Sequence, residues 1–172
     1  SSAASDVYKR QILGKAEFLN PGQSIKDRAA LNMIKQIEKK KNVENKIIVE
    51  GTGGNTGIGL TVIGNSLGYR SVIVMPKNQS IEKVNTLKFL GAEVILTDQV
   101  PYDNPKNYIQ LSKSISKKRN AIWTNQFDNL SNREAHINTT AQEIWDQTQG
   151  KIDAFICSIG TGGTPVSYTH LT

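Results

Sequence analysis

A glycine-rich stretch that follows an apolar segment constrains this chain more than any other feature. Residues 50–60 read EGTGGNTGIGL and come after a short apolar run at 46–49. Apolar residues then recur at Ile58, Leu60 and Ile63, which indicates a strand, a tight turn and a helix. Glycines let a backbone approach a ligand closely, and the unpaired N–H groups of a helix's first turn favour an anion. The stretch therefore predicts a binding site for a phosphate or a carboxylate.

Both ends of the chain depart from the pattern of its interior. Residues 1–11 and 166–172 are the peptides that one sequencing-adapter oligonucleotide encodes when it is read in opposite senses. We therefore expect these two segments to be adapter artefacts. The interior, 12–165, is then expected to be a fragment of a longer protein without its own start or stop.

Charge and hydropathy argue against two classes of partner. The formal net charge is +6, and much of it lies in 35–46 and 113–119, where no aromatic residues are interleaved with the lysines. Such runs indicate solvated helix faces and argue against nucleic-acid binding. No stretch approaches the roughly 18 apolar residues of a membrane span, so no membrane contact is expected.

The single Cys157 excludes an internal disulfide framework and favours a reducing compartment, so we expect a cytoplasmic protein.

The order of the predicted elements indicates an α/β fold. Strands at 46–50, 71–76 and 92–97 alternate with helices at 55–67 and 80–90. Such alternation is typical of βαβ units on a parallel sheet. Further strands are predicted at 12–19, 121–124 and 153–158, and further helices after Ser24, at 108–118 and at 132–149, with Ser24 and Asp27 spaced as in a capping box.

Lys26 has an unusual setting for a lysine. It follows an Asn20-Pro21-Gly22 turn and falls in the first turn of a predicted helix. The positive end of the helix dipole disfavours an ammonium there and helps keep an amine available for imine formation. The position alone leaves two interpretations open, a solvated surface group and a lysine that forms a Schiff base.

Two other classes of function compete for the glycine-rich stretch. Residues 52–59 also fit the TGxxxGIG turn of short-chain NAD(P) dehydrogenases. However, the only YxxxK pattern, Tyr102 to Lys106, contains Pro105 and lies in a predicted loop, whereas that chemistry needs both residues on one helix. The strand after the turn also ends without an acidic residue for a ribose hydroxyl. A non-catalytic anion-binding module is the second alternative.

Four motifs together resemble one enzyme family. They are NPGQSIKDR at 20–28, TGGNTG at 52–57, NQFDN at 125–129 and GTGGT at 160–164. In this order and approximate spacing they resemble the cysteine synthase family, the O-acetylserine sulfhydrylases among the fold-type II pyridoxal-phosphate enzymes. The similarity covers residues 12–164.

The resemblance implies a particular α/β fold, the two-domain fold of the tryptophan synthase β type, with parallel twisted sheets and helices on both faces. In this chain the fold would be truncated at both ends. Residues 12–42 would begin the large cofactor-binding domain, 43–124 would form a small mobile domain, and 125–165 would return to the large one.

The resemblance also implies roles for named residues. Lys26 would hold pyridoxal 5'-phosphate through an imine and later carry the substrate's α-proton, and Asn55 would bond the cofactor's 3′-oxygen. No metal is implied. The residues implied to bind the substrate are Thr52, Gly53, Gly54, Asn55, Thr56 and Gln126. Those implied to bind the cofactor phosphate are Gly160, Thr161, Gly162, Gly163 and Thr164.

The activity that the resemblance implies is β-replacement, forming L-cysteine from O-acetyl-L-serine and sulfide. The full-length enzyme would be a homodimer that can associate with serine acetyltransferase, whereas the fragment alone would be inactive. Cystathionine β-synthase and serine or cysteine β-eliminating lyases share these motifs and remain alternatives. Many members of the family carry Ser where this chain has Gly53, so the preferred activated serine stays open. His136 is interpreted as a packing or hydrogen-bonding residue.

Overall fold

Four parallel strands form the central sheet of the structure, a computed structural model that describes residues 11–39 and 45–169. The strands are β1 (Ile47–Gly51), β2 (Arg70–Pro76), β3 (Glu93–Thr97) and β4 (Ile122–Trp123). Their order across the sheet is β3-β2-β1-β4, and every neighbouring pair is parallel. The chain moves to one side of β1 to form β2 and β3, and then crosses back to form β4. The strand order therefore reverses between β1 and β4.

Helices cover both faces of this sheet. They are α1 (Lys26–Lys39), α2 (Asn55–Ser66), α3 (Ile81–Phe89), α4 (Tyr108–Lys118), α5 (Leu130–Ala135), α6 (Gln142–Thr148) and α7 (Gly163–Tyr168). Helices α2 and α3 pack on one face and α4 on the other, while α1 packs against α2 and α5. The predicted α/β fold with a parallel sheet is confirmed.

Burial on both faces explains why the central strands read as continuous apolar runs. The β1 residue Glu50 pairs with Ile73 of β2, and Val49 pairs with Val72. Because side chains alternate along a strand, the first pair points toward α2 and the second toward α4. All four side chains are buried. Under α1 and α2 the core consists of Ala29, Ala30, Met33, Ile34, Ile48, Leu60 and Tyr69, and under α3 of Ile73, Met75, Val84, Leu87 and Ala92.

The elements predicted between residues 46 and 124 are all present, with ends that differ by at most one residue. Local capping explains two of the helix starts. The Ser80 hydroxyl accepts a hydrogen bond from the Lys83 N–H at 3.4 Å, and the Asn107 side chain accepts one from Ile109 N–H at 3.0 Å. These side chains satisfy N–H groups that a helix leaves unpaired. The loop predicted to contain Tyr102 and Lys106 is also a loop in the structure.

The strands predicted at 12–19 and 153–158 are wrong. The first region is irregular up to a short 3-10 helix at Glu17–Leu19, and the second is irregular throughout. A strand is stable only when its backbone pairs with a neighbour, and neither region pairs with the four strands of the described sheet. Their apolar side chains are correspondingly exposed, with Ile12 and Ile156 both above 90%.

The single helix predicted at 132–149 is wrong in its middle. A π-helical turn, His136–Ala141, separates α5 from α6. Within this segment the Thr139 hydroxyl donates to the Ala135 carbonyl at 2.7 Å, and Thr140 is buried beside His136. A π turn accommodates one extra residue in a helix, so the turn rotates the side chains that follow it relative to those before it.

Two predictions about chain organisation are not decided by this structure. The division into domains at 12–42, 43–124 and 125–165 stays a prediction. Residues 1–10 and 170–172 of the predicted adapter segments lie outside the described residues. Tyr168, from the described part of the second adapter segment, belongs to α7 and stacks on Phe155 with ring centroids 4.5 Å apart. Among the helices of the described ranges, none is long and apolar enough to cross a bilayer.

Gly51 provides a test of the packing between β1 and α4. A Cβ at this position would lie 2.7 Å from the Tyr108 carbonyl oxygen and 2.9 Å from Ile109 Cα. Both atoms belong to the backbone and cannot rotate away. We therefore expect Gly51→Ala to lower the free energy of unfolding by about 1–3 kcal/mol, the usual effect of overpacking a tight interface. Urea denaturation of the purified protein measures this change.

The matched control is Gly14→Ala, because a Cβ at Gly14 meets no atom within 4 Å. We expect the control to unfold at the same urea concentration as the parent protein. Equal stability of Gly51→Ala and Gly14→Ala would contradict the described contact between β1 and α4.

Candidate functional site

The candidate site lies where the strand order reverses. The turn at 52–56 follows β1, and Gln126 follows β4, which is the neighbour of β1 on the other side of the reversal. The carboxyl ends of parallel strands lie at one edge of a sheet, and ligands of open α/β folds bind in the crevice outside that edge at such a reversal. Thus the sheet topology brings together two regions that are far apart in sequence.

The turn at 52–56 is built by short polar side chains and one glycine in an unusual conformation. The Thr52 hydroxyl accepts a hydrogen bond from the Gly54 N–H at 3.2 Å. Gly54 has a φ of 138°, which a residue with a side chain rarely adopts, and it precedes α2. Asn55 is the first residue of α2 and its side chain is exposed. The Thr56 hydroxyl donates to Gln126 Oε1 at 2.5 Å, which joins the turn to the segment after β4.

Gln126 is buried and hydrogen-bonded within the protein, in addition to its predicted role in substrate binding. Its side chain is 5% exposed, and its Nε2 donates to the Gly51 carbonyl at 3.2 Å. Its Oε1 accepts a hydrogen bond from Thr56, so the carboxamide links the turn at 52–56 to the end of β1. The direct contact of Gln126 with a substrate carboxylate stays a prediction.

Glu50 is a buried acid that sequence reasoning missed. Its carboxylate accepts hydrogen bonds from the Thr124 hydroxyl at 2.5 Å and from the Gln126 N–H at 3.3 Å. Burial raises the pKa of Glu50 to about 7, although these hydrogen bonds act to lower it. A glutamate inside an otherwise apolar strand was the available signal, because charged residues are almost never fully buried without a partner.

The loop before Lys26 is organised by the next residue in the chain. The buried Asp27 carboxylate accepts a hydrogen bond from the Gly22 N–H at 2.5 Å, while the Ser24 hydroxyl accepts from the Lys26 N–H at 3.2 Å. The predicted capping box between Ser24 and Asp27 is therefore wrong in its pairing, because Asp27 reaches back to the glycine of the turn. This bond fixes the path by which the chain enters α1 and so fixes where Lys26 begins the helix.

Ion pairs around Arg28 hold the same end of α1. The Arg28 guanidinium forms a bidentate contact with Glu143 of α6 at 2.7 and 2.8 Å, and its Nε donates to Glu17 at 2.9 Å. The hydrogen bond from Arg28 lowers the pKa of Glu143 to about 2. Bidentate geometry restricts orientation as well as distance, so the start of α1 is anchored to α6.

Lys26 lies beside the second glycine-rich turn. Its Nζ is 4.0 Å from the position that a Cβ would take on Gly160, which places the amine next to this turn. Burial lowers the pKa of Lys26, and the nearby Cys157 opposes that shift. An amine with a lowered pKa is more often neutral, which is the form that reacts with an aldehyde or accepts a proton.

The second glycine-rich turn packs closely on α5. Gly162 has a φ of 80°, and Gly163 begins α7. A Cβ on Gly163 would lie 3.0 Å from Asn132 Oδ1 and 3.2 Å from the ring of His136. The turn thus depends on glycine both for its conformation and for its approach to α5.

Asn132 connects the two predicted anion sites, and sequence reasoning missed it. Its Nδ2 donates to the Gln126 carbonyl at 2.9 Å and to the Thr161 hydroxyl at 2.8 Å. Its Oδ1 is buried without a hydrogen-bond partner among the described residues. The same amide therefore positions a residue of the first site and a residue of the second.

His136 is buried at 1% exposure and its Nδ1 lies 3.0 Å from the Thr140 hydroxyl. Burial, followed by the positive charges of Lys26 and Arg28, lowers the pKa of His136 to about 4. A neutral, buried imidazole agrees with the predicted packing role. Among the described residues there is no cluster of three or more histidine, cysteine or acidic side chains that would hold a metal ion.

These residues fit a cofactor that carries an aldehyde and a phosphate. Lys26 supplies a desolvated amine, and the turn at 160–164 next to it supplies glycine backbone and two threonine hydroxyls. The Asn132 Nδ2 donates to the Thr161 hydroxyl of this turn and orients it. The predicted hydrogen bond from Asn55 to the cofactor's 3′-oxygen stays a prediction.

Glu50 generates a pH-dependent prediction. The pKa of Glu50 is 4.5 in an exposed setting and about 7 when it is buried. Between pH 4.5 and about pH 7 the folded protein therefore keeps a proton on Glu50 that the unfolded chain releases. Stability contributed by protonated Glu50 is present at low pH and is lost as pH rises through about 7. Because one pKa unit is worth about 1.4 kcal/mol, the loss is about 3 kcal/mol.

We expect Glu50→Gln to remove this loss, because glutamine keeps an acceptor for Thr124 and Gln126 but has no charge. The difference in unfolding free energy between Glu50→Gln and the parent, measured by urea denaturation, should grow as pH rises from 5 to 8 in favour of the variant. Glu38→Gln, which changes an exposed glutamate of α1, serves as the control and should show no such trend. A difference that is constant over this pH range would refute the assignment.

Comparison with known proteins identifies relatives of this chain. A family model described as pyridoxal-phosphate dependent enzyme matches residues 1–169. Cysteine synthase 1 of Neurospora crassa is 54% identical over 156 residues, covering 90% of this chain and 42% of that protein. Cystathionine beta-synthase of Apis mellifera is 43% identical, covering 91% of this chain and 32% of that protein. The chain therefore spans less than half the length of the curated relatives it matches here.

A solved structure agrees with these sequence matches. The crystal structure of a hydrogen sulfide-producing enzyme from Fusobacterium nucleatum superimposes with a TM-score of 0.79 at 42% identity, covering 91% of this chain and 51% of that one. The predicted fold of the tryptophan synthase β type is thereby confirmed, and the dehydrogenase alternative is excluded. The chain belongs to the family of pyridoxal-phosphate dependent enzymes, because the family model matches nearly the whole length of the chain.

Proposed function

We propose that the protein containing this chain makes L-cysteine from O-acetyl-L-serine and sulfide by β-replacement. The observation that carries the proposal is the convergence of three predicted parts of a site. Lys26 lies beside the turn at 160–164, and Asn132 joins that turn to Gln126, which in turn holds the turn at 52–56. The identity of 54% to a cysteine synthase supports the choice of reaction.

Lys26 performs two functions in this proposal. Its amine would hold the cofactor covalently and, once the substrate's amine has displaced it, would take up the proton from the substrate's Cα. When bound, pyridoxal phosphate supplies an electron sink for the pair left at Cα. The lowered pKa of Lys26 supports both functions, because only the neutral amine bonds to an aldehyde or takes up a proton.

The turn at 52–56 binds the α-carboxylate of the substrate. Its first-turn N–H groups and the positive end of the α2 dipole attract an anion. The Thr56 hydroxyl donates to Gln126, and Gln126 donates to Gly51, so the turn is held in one conformation before a ligand arrives. Such preorganisation lowers the entropic cost of binding and orients the bond at Cα toward Lys26.

The turn at 160–164 holds the cofactor phosphate. Gly160 lies next to the amine of Lys26, and Thr161 is oriented by Asn132. Backbone N–H groups and hydroxyls are suitable donors for a phosphate, and glycine lets them approach closely. In this proposal the two glycine-rich turns bind different anions, a carboxylate at the first and a phosphate at the second.

The similarity to a cystathionine beta-synthase supports a second candidate with the same residues. That activity, like β-elimination, differs in the second substrate and not in Lys26 or in the two turns. The proposal extends to a homodimeric, cytoplasmic enzyme that can associate with serine acetyltransferase. The homodimer and the association rest on the resemblance of the four motifs to the cysteine synthase family, and the cytoplasmic location rests on the single Cys157.

Cofactor binding is tested with Lys26→Ala in the full-length protein. We expect the parent protein with pyridoxal phosphate to show the visible absorbance of a protonated imine and the variant to lose it, since alanine has no amine. Lys35→Ala, on an exposed position of the same helix, should keep the absorbance. A parent protein that stays colourless, or a Lys26→Ala protein that keeps the colour, would show that Lys26 is not the anchoring residue.

The reaction is tested by measuring acetate released from O-acetyl-L-serine with and without sulfide. Formation of cysteine with acetate release that depends on sulfide is the expected result. Acetate release that ignores sulfide and yields pyruvate would instead identify an eliminating lyase. Preference for homocysteine over sulfide would identify cystathionine synthesis.

A further inference from the structure

An uncharged cavity of about 250 Å³ lies next to the turn at 52–56. It opens at the carboxyl edge of the sheet, between the ends of β1, β2 and β3. None of the side chains that line it is charged. They belong to Gly53, Pro76, Asn78, Gln79, Gln99, Val100 and Tyr108.

The Gln79 carboxamide lies directly over Gly53. Its Oε1 is 3.2 Å, and its Cδ 3.6 Å, from the position that a Cβ would take on Gly53. Gln79 thus occupies the space beside the turn that a side chain at residue 53 would otherwise fill.

The carboxamides of the cavity are linked to one another. Asn78 Nδ2 donates to Gln99 Oε1 at 2.6 Å, and Gln79 Nε2 contacts Asn78 Oδ1 at 3.4 Å, the limit of a hydrogen bond. Tyr108 adds a phenol, which is a neutral donor near pH 7, and burial raises its pKa further. The cavity therefore offers both donors and acceptors but no net charge.

The charged side chains near the cavity lie outside its lining. Lys77 and Asp98, the neighbours of Asn78 and Gln99 in the chain, form an ion pair at 2.7 Å, and the stem of Lys83 lies against Gly54. A ligand group with a full charge would find no opposite charge among the lining side chains. A neutral polar group would exchange water for carboxamides at little cost.

We propose that this cavity is the subsite for an uncharged, hydrogen-bonding substituent on Cβ of the amino-acid substrate, such as the carbonyl of an O-acyl ester. The inference rests on the proposed binding of the α-carboxylate at the turn 52–56. Gly53 belongs both to that turn and to the cavity, so a carboxylate bound at the turn brings the substituent on Cβ within reach of Gln79. Gln79 is then a residue that determines specificity, because its Nε2 has a second N–H that can donate to the carbonyl of the substituent while the first contacts Asn78.

The test uses three unreactive amino acids and the full-length enzyme loaded with pyridoxal phosphate. L-Glutamine has the shape of O-acetyl-L-serine, with a methylene in place of the ester oxygen and an amide nitrogen in place of the methyl group. L-Glutamate adds a charge to that shape, and L-alanine lacks the substituent. Isothermal titration calorimetry gives the three dissociation constants without turnover.

We expect the parent enzyme to bind glutamine about tenfold more tightly than alanine, the effect of one or two hydrogen bonds, and to bind glutamate more weakly than glutamine. Gln79→Met keeps the length of the side chain and removes its donor and acceptor. It should abolish the preference for glutamine over alanine and leave the affinity for alanine unchanged. Gln142→Met, the same change on an exposed position of α6, should keep the preference.

The outcomes separate the two proposals. An enzyme that binds none of the three amino acids overturns the proposed function, and the subsite with it. An enzyme that binds alanine, but shows the same ratio of glutamine to alanine affinity in Gln79→Met as in the parent, overturns the subsite alone. Tighter binding of glutamate than of glutamine would also overturn it, because a neutral cavity does not favour a charge.

Discussion

The close contact between α1 and α2 is the interaction on which the arrangement of the site depends. Gly59 lies on α2 one turn after Asn55, and a Cβ there would be 2.9 Å from Asp27 Oδ1 and 3.3 Å from Ala30 Cβ. Because Gly59 and Ala30 are small, the two helices approach closely near their first turns. The start of α1 carries Lys26, and the start of α2 carries the turn at 52–56. A larger residue at position 59 would separate the two parts of the site.

Buried polar groups hold the loops that the helices bring together. The Asp27 carboxylate accepts a hydrogen bond from the turn before α1, and the Glu50 carboxylate accepts one from the segment after β4. The Asn132 amide donates hydrogen bonds to both Gln126 and Thr161. A buried polar group without partners is costly, so each of these bonds stabilises one loop conformation over others. Two buried oxygens, Asp27 Oδ1 and Asn132 Oδ1, have no hydrogen-bond partner in the described part of the chain. Asn132 faces the turn proposed to hold the phosphate, where a ligand or water can complete its bonding.

Prediction from sequence succeeded where local signals and burial agree. Between β1 and β4 the apolar runs, the capping residues Ser80 and Asn107 and the turn glycines all indicate the same elements, and the structure contains them. It failed at residues 12–19 and 153–158, because an apolar run becomes a strand only if another strand lies beside it. It also failed within His136–Ala141, since the spacing of apolar residues does not distinguish an α-helical turn from a π turn.

The sequence by itself determined the types of residue at the site and their order along the chain. Lys26 at a helix start and the glycine-rich turns at 52–56 and 160–164 could be read from local patterns, whereas the motif containing Gln126 was found through the resemblance to the cysteine synthase family. Only the tertiary structure decided that Glu50 bonds Gln126, 76 residues away, that Asn132 joins the two turns and that Gln79 covers Gly53. The reason is physical. Local backbone preference determines turns and helices, whereas contacts between distant side chains depend on strand order and on helix packing distances that no short segment of sequence encodes.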